Sequence, residues 1–306
     1  MVLDERRFVC RSRLRMFSSM IKAIKKIRPA RVVLYCVMIG LVLFTALPLI
    51  YMVATAFKPM QELFLFPPTF FVENPTTRNF YDLFVVMGTS TVPYIRYIFN
   101  SVLVTVITVF LTVLVSACGA YGLVKFDIPG GKWIFSVVVA ALMFSSHVTQ
   151  IPRYMVVNTL NLIDTYAALI LPCIAVAYNF FLMKQFIEQF PDTLIEAGRI
   201  DGAGEFRIFF KLVFPALAAP MATLVVFSFI TTWNDYFTPL VYITSASMKT
   251  LPLALQTLSG GVGAASLSRA GAVAAATLVM TLPPILIFSV MQRKVIAALT
   301  YSGIKG

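Results

Sequence analysis

The sequence has little charge and few of the residues that build metal or redox sites. Charged residues make up 12% of its 306 residues, against roughly 25% in a soluble domain. His147 is the single histidine, and one imidazole cannot form a metal site. The four cysteines, Cys10, Cys36, Cys118 and Cys173, show no CxxC or other ligand spacing. We therefore expect no metal centre, and expect the cysteines to be small packing residues.

Motifs for catalysis and for ion-coupled transport are missing as well. Gly130-Gly131-Lys132 lacks the upstream glycine of a Walker A motif, and Trp133 stands where Ser or Thr would hold magnesium. No GxSxG or HExxH pattern occurs. Ionisable residues that could carry coupling ions are nearly absent from the apolar runs, with Asp235 at the edge of one run as the near-exception. The sequence predicts a chain without catalysis or a cofactor of its own.

Long apolar runs dominate what is present. Hydrophobic residues make up 59% of the chain, and a helix needs about 20 of them to cross a bilayer core of roughly 30 Å. Inside lipid, backbone polar groups must be satisfied within the segment, so these runs predict helices. The fold class is therefore an all-α integral membrane protein with six transmembrane helices. The uncharged runs are 32–57, 97–124, 133–152, 165–183, 212–234 and 270–292.

The basic residues predict the orientation. Nineteen of the 25 lysines and arginines fall in every second polar segment, starting with the N-terminus, and six fall in the others. Positive charge collects on the cytoplasmic side, so both termini are predicted to be cytoplasmic. This distribution explains the net charge of +12 without nucleic acid. The predicted organisation is a basic arm at 1–31, a transmembrane domain at 32–292 with a cytoplasmic coupling segment at 184–212, and a cytoplasmic tail at 293–306.

The basic arm has two interpretations. Apolar residues at helical spacing between 14 and 27, with lysines on the other faces, suit an interfacial helix on anionic membrane lipid. A disordered basic arm is the alternative. The charged region is too long for a secretory signal peptide, so the arm is expected to be retained.

The polar segment before the fifth run predicts two short helices joined by a glycine turn. Pro191 and Asp192 suit a helix start. Five small residues would let another protein approach closely, and mixed charges surround them. Docking into a partner's groove is one interpretation, and an ordinary solvated loop is the other. The small residues are Ala197, Gly198, Gly202, Ala203 and Gly204.

This segment resembles the EAA coupling motif of binding-protein-dependent importer permeases, E-A-A-x₃-G-x₉-I-x-L-P. Residues 196–203 read EAGRIDGA, close to the EAAxIDGA of the carbohydrate branch. The chain departs from the motif at Gly198, Leu212 and Phe214. Other features agree in order along the chain, among them Trp233-Asn234-Asp235. From about residue 30 onward, the chain resembles the second permease of maltose-type sugar importers.

The resemblance implies the type I ABC importer permease fold in a bacterial inner membrane. It implies three partners: a second homologous permease, an ABC ATPase dimer that binds ATP and Mg²⁺, and an extracellular or periplasmic sugar-binding protein. Glu196 is expected to pair with a basic residue of the ATPase. The residues implied in ATPase coupling are Glu196, Ala197, Gly198, Asp201, Gly202, Ala203, Leu212 and Pro215.

Candidates for the substrate path are polar and aromatic residues in the fourth run and at the outer half of the fifth run. Sugars are held by aromatic faces and by groups that donate and accept hydrogen bonds. Each candidate also has a structural interpretation, since interfacial tryptophans are anchors and threonines bond helix backbones. The resemblance implies that the partner permease supplies most sugar contacts. The candidates are Tyr178, Asn179, Thr232, Trp233, Asn234 and Asp235.

Two external segments complete the prediction. The segment 58–95, rich in proline and phenylalanine, is expected to be folded. The loop 244–268 carries Gly260, Gly261 and Gly263, which by the resemblance could contact the binding protein, or could belong to a plain flexible connector. The alternatives for the whole chain are an ABC permease for a non-sugar solute and an integral membrane enzyme.

Overall fold

The computed structural model describes residues 29–88, 92–260 and 269–303, and within them every regular element is helical. The chain divides into two compact units, residues 1–54 and 55–306. In chain order the helices are α1 (Pro29–Phe57), α2 (Met60–Leu63), α3 (Arg78–Gly88), α4 (Tyr94–Lys125), α5 (Gly131–Ala141), α6 (Gln150–Thr159), α7 (Tyr166–Ile174), α8 (Ala177–Glu188), α9 (Asp192–Ile200), α10 (Glu205–Ile208), α11 (Phe214–Ala216), α12 (Ala218–Trp233), α13 (Phe237–Tyr242), α14 (Leu251–Ser259) and α15 (Ala270–Gly303).

Among the described residues, three helices, α1, α4 and α15, are long and apolar enough to cross a membrane, and the count is up to five if each of two bent pairs is one span. The pair α7–α8 bends by 44°, shortly after Pro172, and the helices from Glu205 to Trp233 bend by 76° near Leu217. The run 133–152 is not the single helix that its composition predicted. It contains all but the first two residues of the 11-residue α5, then a stretch of turns and the start of α6. The count of six spans stays a prediction.

Helix α4 lies at the centre of the second unit and packs against α7, α8 and α12. Its buried face carries small polar residues every three or four positions, which lets neighbouring backbones approach closely. Helix α12 packs in turn against α15. The small polar residues of this face are Ser101, Thr105, Thr108, Thr112 and Ser116.

The segment 58–95 is folded in its described residues, 58–88 and 92–95, as predicted. Its short helix α2 holds the buried Glu62, whose carboxylate accepts hydrogen bonds from the backbone N–H groups of Glu73 and Asn74. Helix α3 packs on α15 through Asn79, whose side-chain nitrogen donates to the carbonyls of Ala56 and Lys58 at 2.9 and 2.7 Å. These bonds fix Asn79 directly beside Gly271.

The loop 244–268 differs from the flexible connector that was one of its interpretations. Its described part contains α14, which contributes to the core through Leu251, Ala254 and Leu258. Proline at 252 and the extended Thr250 suit the start of this helix. The arm up to residue 28, the residues 261–268 with Gly261 and Gly263, and the last three residues lie outside the described residues.

Candidate functional site

The coupling segment forms the predicted pair of helices. Helix α9 starts after Pro191, and α10 starts after Gly204. Between them the chain reverses at Gly202, whose φ of 76° is in the left-handed region that favours glycine. The backbone N–H of Ala203 donates to the carbonyl of Gly198 at 3.0 Å, which closes the end of α9.

The inner face of this segment is packed into the protein. Ile195 and Ile208 are buried in a cluster that also contains Phe209. Gly198 is buried against α10 and against the π-helical turn Phe209–Val213 that follows α10. A Cβ on Gly198 would lie 3.2 Å from Leu212 Cδ1 and 3.3 Å from Ile208 Cγ1. This close approach gives a physical reason for glycine where the motif usually has alanine.

The outer face carries exposed apolar side chains around the turn. Ile200 is 86% exposed and Phe206 is 83% exposed, and Leu194 is exposed as well. Two strongly exposed apolar side chains on either side of one turn are a candidate interaction surface. The predicted residues Glu196, Ala197, Asp201, Gly202, Leu212 and Pro215 are also exposed, and Ala203 is half-buried.

Two ion pairs, Arg199–Glu205 and Lys125–Asp192, hold the segment in place. The Nε of Arg199 donates to Glu205 Oε1 at 2.7 Å, and the hydroxyl of Tyr121 on α4 donates to Glu205 Oε2 at 3.1 Å. The carboxylate of Glu205 raises the pKa of Arg199 above its usual value. Because Glu205 bonds both the end of α9 and the transmembrane helix α4, it joins the turn to the membrane domain.

Lys125, which sequence reasoning missed, makes the second connection. It is the last residue of α4, and its side chain is only 6% exposed. Its Nζ donates to Asp192 Oδ1 at 2.7 Å and to the carbonyl of Phe190 at 2.9 Å. No local pattern marks this contact, because Lys125 and Asp192 are 67 positions apart. Helix α4 thus bonds the start of α9 through Lys125 and the start of α10 through Tyr121.

Two of the substrate-path candidates, Trp233 and Asn179, lie where they support the packing. Trp233 is 3% exposed, stacks on Phe229, and donates from Nε1 to the carbonyl of Met280 at 2.9 Å. Thr232, beside it, is half-buried. Asn179 is buried and donates to the hydroxyl of Ser228 at 3.1 Å. Trp233 and Asn179 therefore have packing partners that account for their burial.

The other candidates are more accessible. Tyr178 is exposed and contacts Phe227 edge to face, with the ring centroids 6.4 Å apart. Asn234 and Asp235 line an open cavity of about 590 Å³ at the end of α12 that is farther from the coupling segment. The cavity brings them together with Gln150, Arg153 and Tyr154 of α6, which were not among the predicted site residues.

Gly260 follows α14 directly. Its backbone N–H donates to the carbonyl of Gln256 at 3.0 Å, and a Cβ added there would lie 3.2 Å from that same oxygen. The residue therefore ends the helix. Its predicted contact with a binding protein stays a prediction.

Comparison with known proteins finds relatives that all belong to transport systems. A permease of Halalkalibacterium halodurans described as the arabinooligosaccharides transport system permease protein AraQ is 31% identical over 85% of this chain and 91% of its own. The sn-glycerol-3-phosphate transport system permease protein UgpE of Escherichia coli is 32% identical over 86% and 92% of the two chains. A crystal structure of a bacterial ABC transporter for import of the acidic polysaccharide alginate has the same fold, with a TM-score of 0.75 at 21% identity, over 87% and 98% of the chains.

The family assignment agrees with the apolar helices and the motif at 196–215. Residues 106–301 match the family described as the inner membrane component of binding-protein-dependent transport systems. This range includes the coupling segment, the bent helix pairs and the cavity at the end of α12. The chain belongs to this family of bacterial inner-membrane transport permeases, and it has the type I ABC importer permease fold.

Proposed function

We propose that this chain is a permease subunit of an ATP-driven, binding-protein-dependent importer of sugars or oligosaccharides. The observation that carries the proposal is the coupling segment, which is packed on one face and exposes Ile200 and Phe206 on the other. The names of AraQ and of the alginate transporter support a carbohydrate as the solute. A second homologous permease would supply the other half of the path.

The segment is built to transmit movement from a separate ATPase dimer. Its exposed turn would insert into a cleft of the ATPase, with the apolar side chains of Ile200 and Phe206 buried there and Glu196 paired with a basic residue. Closure of the ATPase around ATP and Mg²⁺ would displace the turn. Lys125 and Glu205 bond this segment to α4, so the displacement would reach the membrane helices as a near rigid-body rotation.

A second solute class has support of its own. UgpE is described as a transporter of sn-glycerol 3-phosphate, so a small anionic polyol ester is the competing substrate. Both candidates use the same coupling segment, and they differ only in what passes along the path.

The coupling role is tested in the complete transporter, reconstituted in proteoliposomes with its binding protein. Glu196→Lys reverses a charge on the exposed face, and Gly202→Asp puts a charged side chain on the turn. Asp127→Lys is the matched control, because Asp127 is an exposed acid on the same predicted side of the membrane and outside the segment. We expect both segment variants to lose ATP hydrolysis stimulated by the loaded binding protein, while the control keeps it. Wild-type stimulation in both segment variants would contradict the proposal.

A further inference from the structure

The cavity at the end of α12 collects polar side chains from two parts of the sequence about 80 residues apart. Helix α6 contributes Gln150 and Arg153, and the end of α12 contributes Asn234 and Asp235. Its volume of about 590 Å³ is within the range of about 300–1,000 Å³ of cavities that hold small ligands. These four side chains place amide, guanidinium and carboxylate groups around one space.

Several of these polar groups have hydrogen-bonding capacity to spare. Within the described part of the chain, the guanidinium of Arg153 makes no hydrogen bond and no ion pair closer than 4.0 Å. Asp235 uses Oδ1 to accept from the backbone N–H groups of Phe237 and Thr238, at 2.9 and 3.0 Å, which leaves Oδ2 available. Asn234 donates one amide hydrogen to the carbonyl of Ile230 and keeps its oxygen as an acceptor.

An aromatic wall completes the cavity. Tyr154 and Tyr242 both line it, and their rings stack with centroids 6.1 Å apart and an interplanar angle of 18°. The apolar faces of sugar rings pack on aromatic rings, and sugar hydroxyls both donate and accept hydrogen bonds. The cavity meets both requirements. Its tyrosine rings offer aromatic surface, and its guanidinium, carboxylate oxygen and amide oxygen offer hydrogen-bond donors and acceptors.

The charges of the cavity select among such ligands. Its lining contains one cation, Arg153, and one anion, Asp235, so opposite charges offset each other. An anionic ligand attracted to the guanidinium would bring its charge close to the carboxylate, and like charges in a partly enclosed site repel. An uncharged ligand can use both groups, because a hydroxyl accepts from Arg153 and donates to Asp235.

We propose that this subunit itself carries a sugar-contact site in this cavity, and that the site takes uncharged, polyhydroxylated ligands through Arg153, Asn234 and Asp235. The inference rests on the proposed import function and names its substrate class. It also assigns direct sugar contact to this permease, in addition to any contacts made by its partner.

The test measures protection of a cysteine in the cavity. In the complete transporter, with the native cysteines replaced by serine and ATP hydrolysis arrested by vanadate, Asn234→Cys is labelled with a maleimide. Arabinotriose, maltotriose and raffinose are the uncharged probes, and sn-glycerol 3-phosphate is the anionic probe. Thr231→Cys is a second reporter on the same cavity. Ser247→Cys, exposed outside the cavity, is the matched control.

We expect at least one uncharged probe to slow labelling at Asn234→Cys or Thr231→Cys at least fivefold, with no effect at Ser247→Cys. Adding Asp235→Asn or Arg153→Gln should raise the probe concentration needed at least fivefold. Asp235→Asn should also let sn-glycerol 3-phosphate protect. Protection by no uncharged probe at either reporter overturns the proposal. Stronger protection by sn-glycerol 3-phosphate than by the uncharged probes, in the chain that keeps Asp235, overturns it as well. ATP hydrolysis by the same complexes before arrest reports on coupling separately, so failure of the site is distinguished from failure of the import function.

Discussion

Replacing Gly202 with alanine isolates the backbone geometry of the coupling turn. An added Cβ has no atom within 4 Å, so the change introduces no clash, and its effect comes from the φ of 76°. The left-handed conformation costs an L-residue roughly 1–2 kcal/mol. A cost of about 1 kcal/mol corresponds to about a fivefold change in an equilibrium, since about 1.4 kcal/mol is tenfold. We therefore expect the ATP hydrolysis stimulated by a loaded binding protein to fall about fivefold, because the turn would adopt its docking geometry in a smaller fraction of the molecules.

Gly130→Ala is the matched control for this prediction. Gly130 has a φ of 78° and also has no atom within 4 Å of an added Cβ, but it precedes α5 and lies outside the coupling segment. It should lower Tm as much as Gly202→Ala does and keep the stimulated hydrolysis. Gly202→Asn should recover most of the activity, because asparagine tolerates the left-handed region. Equal loss of stimulation in Gly130→Ala and Gly202→Ala would refute the reasoning.

Three further predictions follow from contacts elsewhere in the chain. Lys125→Met removes a charged hydrogen bond to the largely exposed Asp192, a loss of about 1 kcal/mol, and should speed hydrogen exchange over residues 190–200 more than Asp192→Asn does. Gly271→Ala places a Cβ 2.2 Å from Oδ1 of the hydrogen-bonded Asn79. The resulting overpacking costs about 1–3 kcal/mol and should lower Tm. Gly122→Ala, whose added Cβ meets nothing within 4 Å, should not lower Tm. Hydrogen bonds from Ser245 hold the pKa of Asp164 below its ordinary 3.8, so the stability that Asp164→Asn removes is present above about pH 4 and lost as the pH falls further. Thermal unfolding of both proteins over that range should converge at the acidic end, and a constant gap would contradict it.

The longest helices were predictable because composition alone determines them. Runs 32–57, 97–124 and 270–292 correspond to α1, α4 and α15, and no buried turn interrupts any of them. The run 133–152 shows the limit of that reasoning. Its residues are uncharged throughout, yet the chain leaves the helix after Ala141. Hydropathy measures the environment of a segment, and it does not report where backbone hydrogen bonding changes direction.

The candidate site likewise has features that the local sequence predicts and features that it does not. The turn at Gly202 was predictable, because glycine between small residues is a local signal for a left-handed position. The bonds from Lys125 and Tyr121 to the segment were not, since both cross from α4 to residues at least 65 positions away. Arg153 was missed for the same reason. Only the folded chain places it on the same cavity as Asp235.

The close packing of Gly198 against Ile208 and Leu212 limits how coupling segments can be exchanged between related permeases. A coupling segment moved from a relative with alanine at this position would bring a methyl group 3.2 Å from Leu212 Cδ1 and 3.3 Å from Ile208 Cγ1, so both side chains would have to shift slightly. The three residues therefore form one unit of exchange. A chimera that carries over positions 198, 208 and 212 together should keep this packing, while one that carries over only the segment up to the turn must displace the side chains of Ile208 and Leu212.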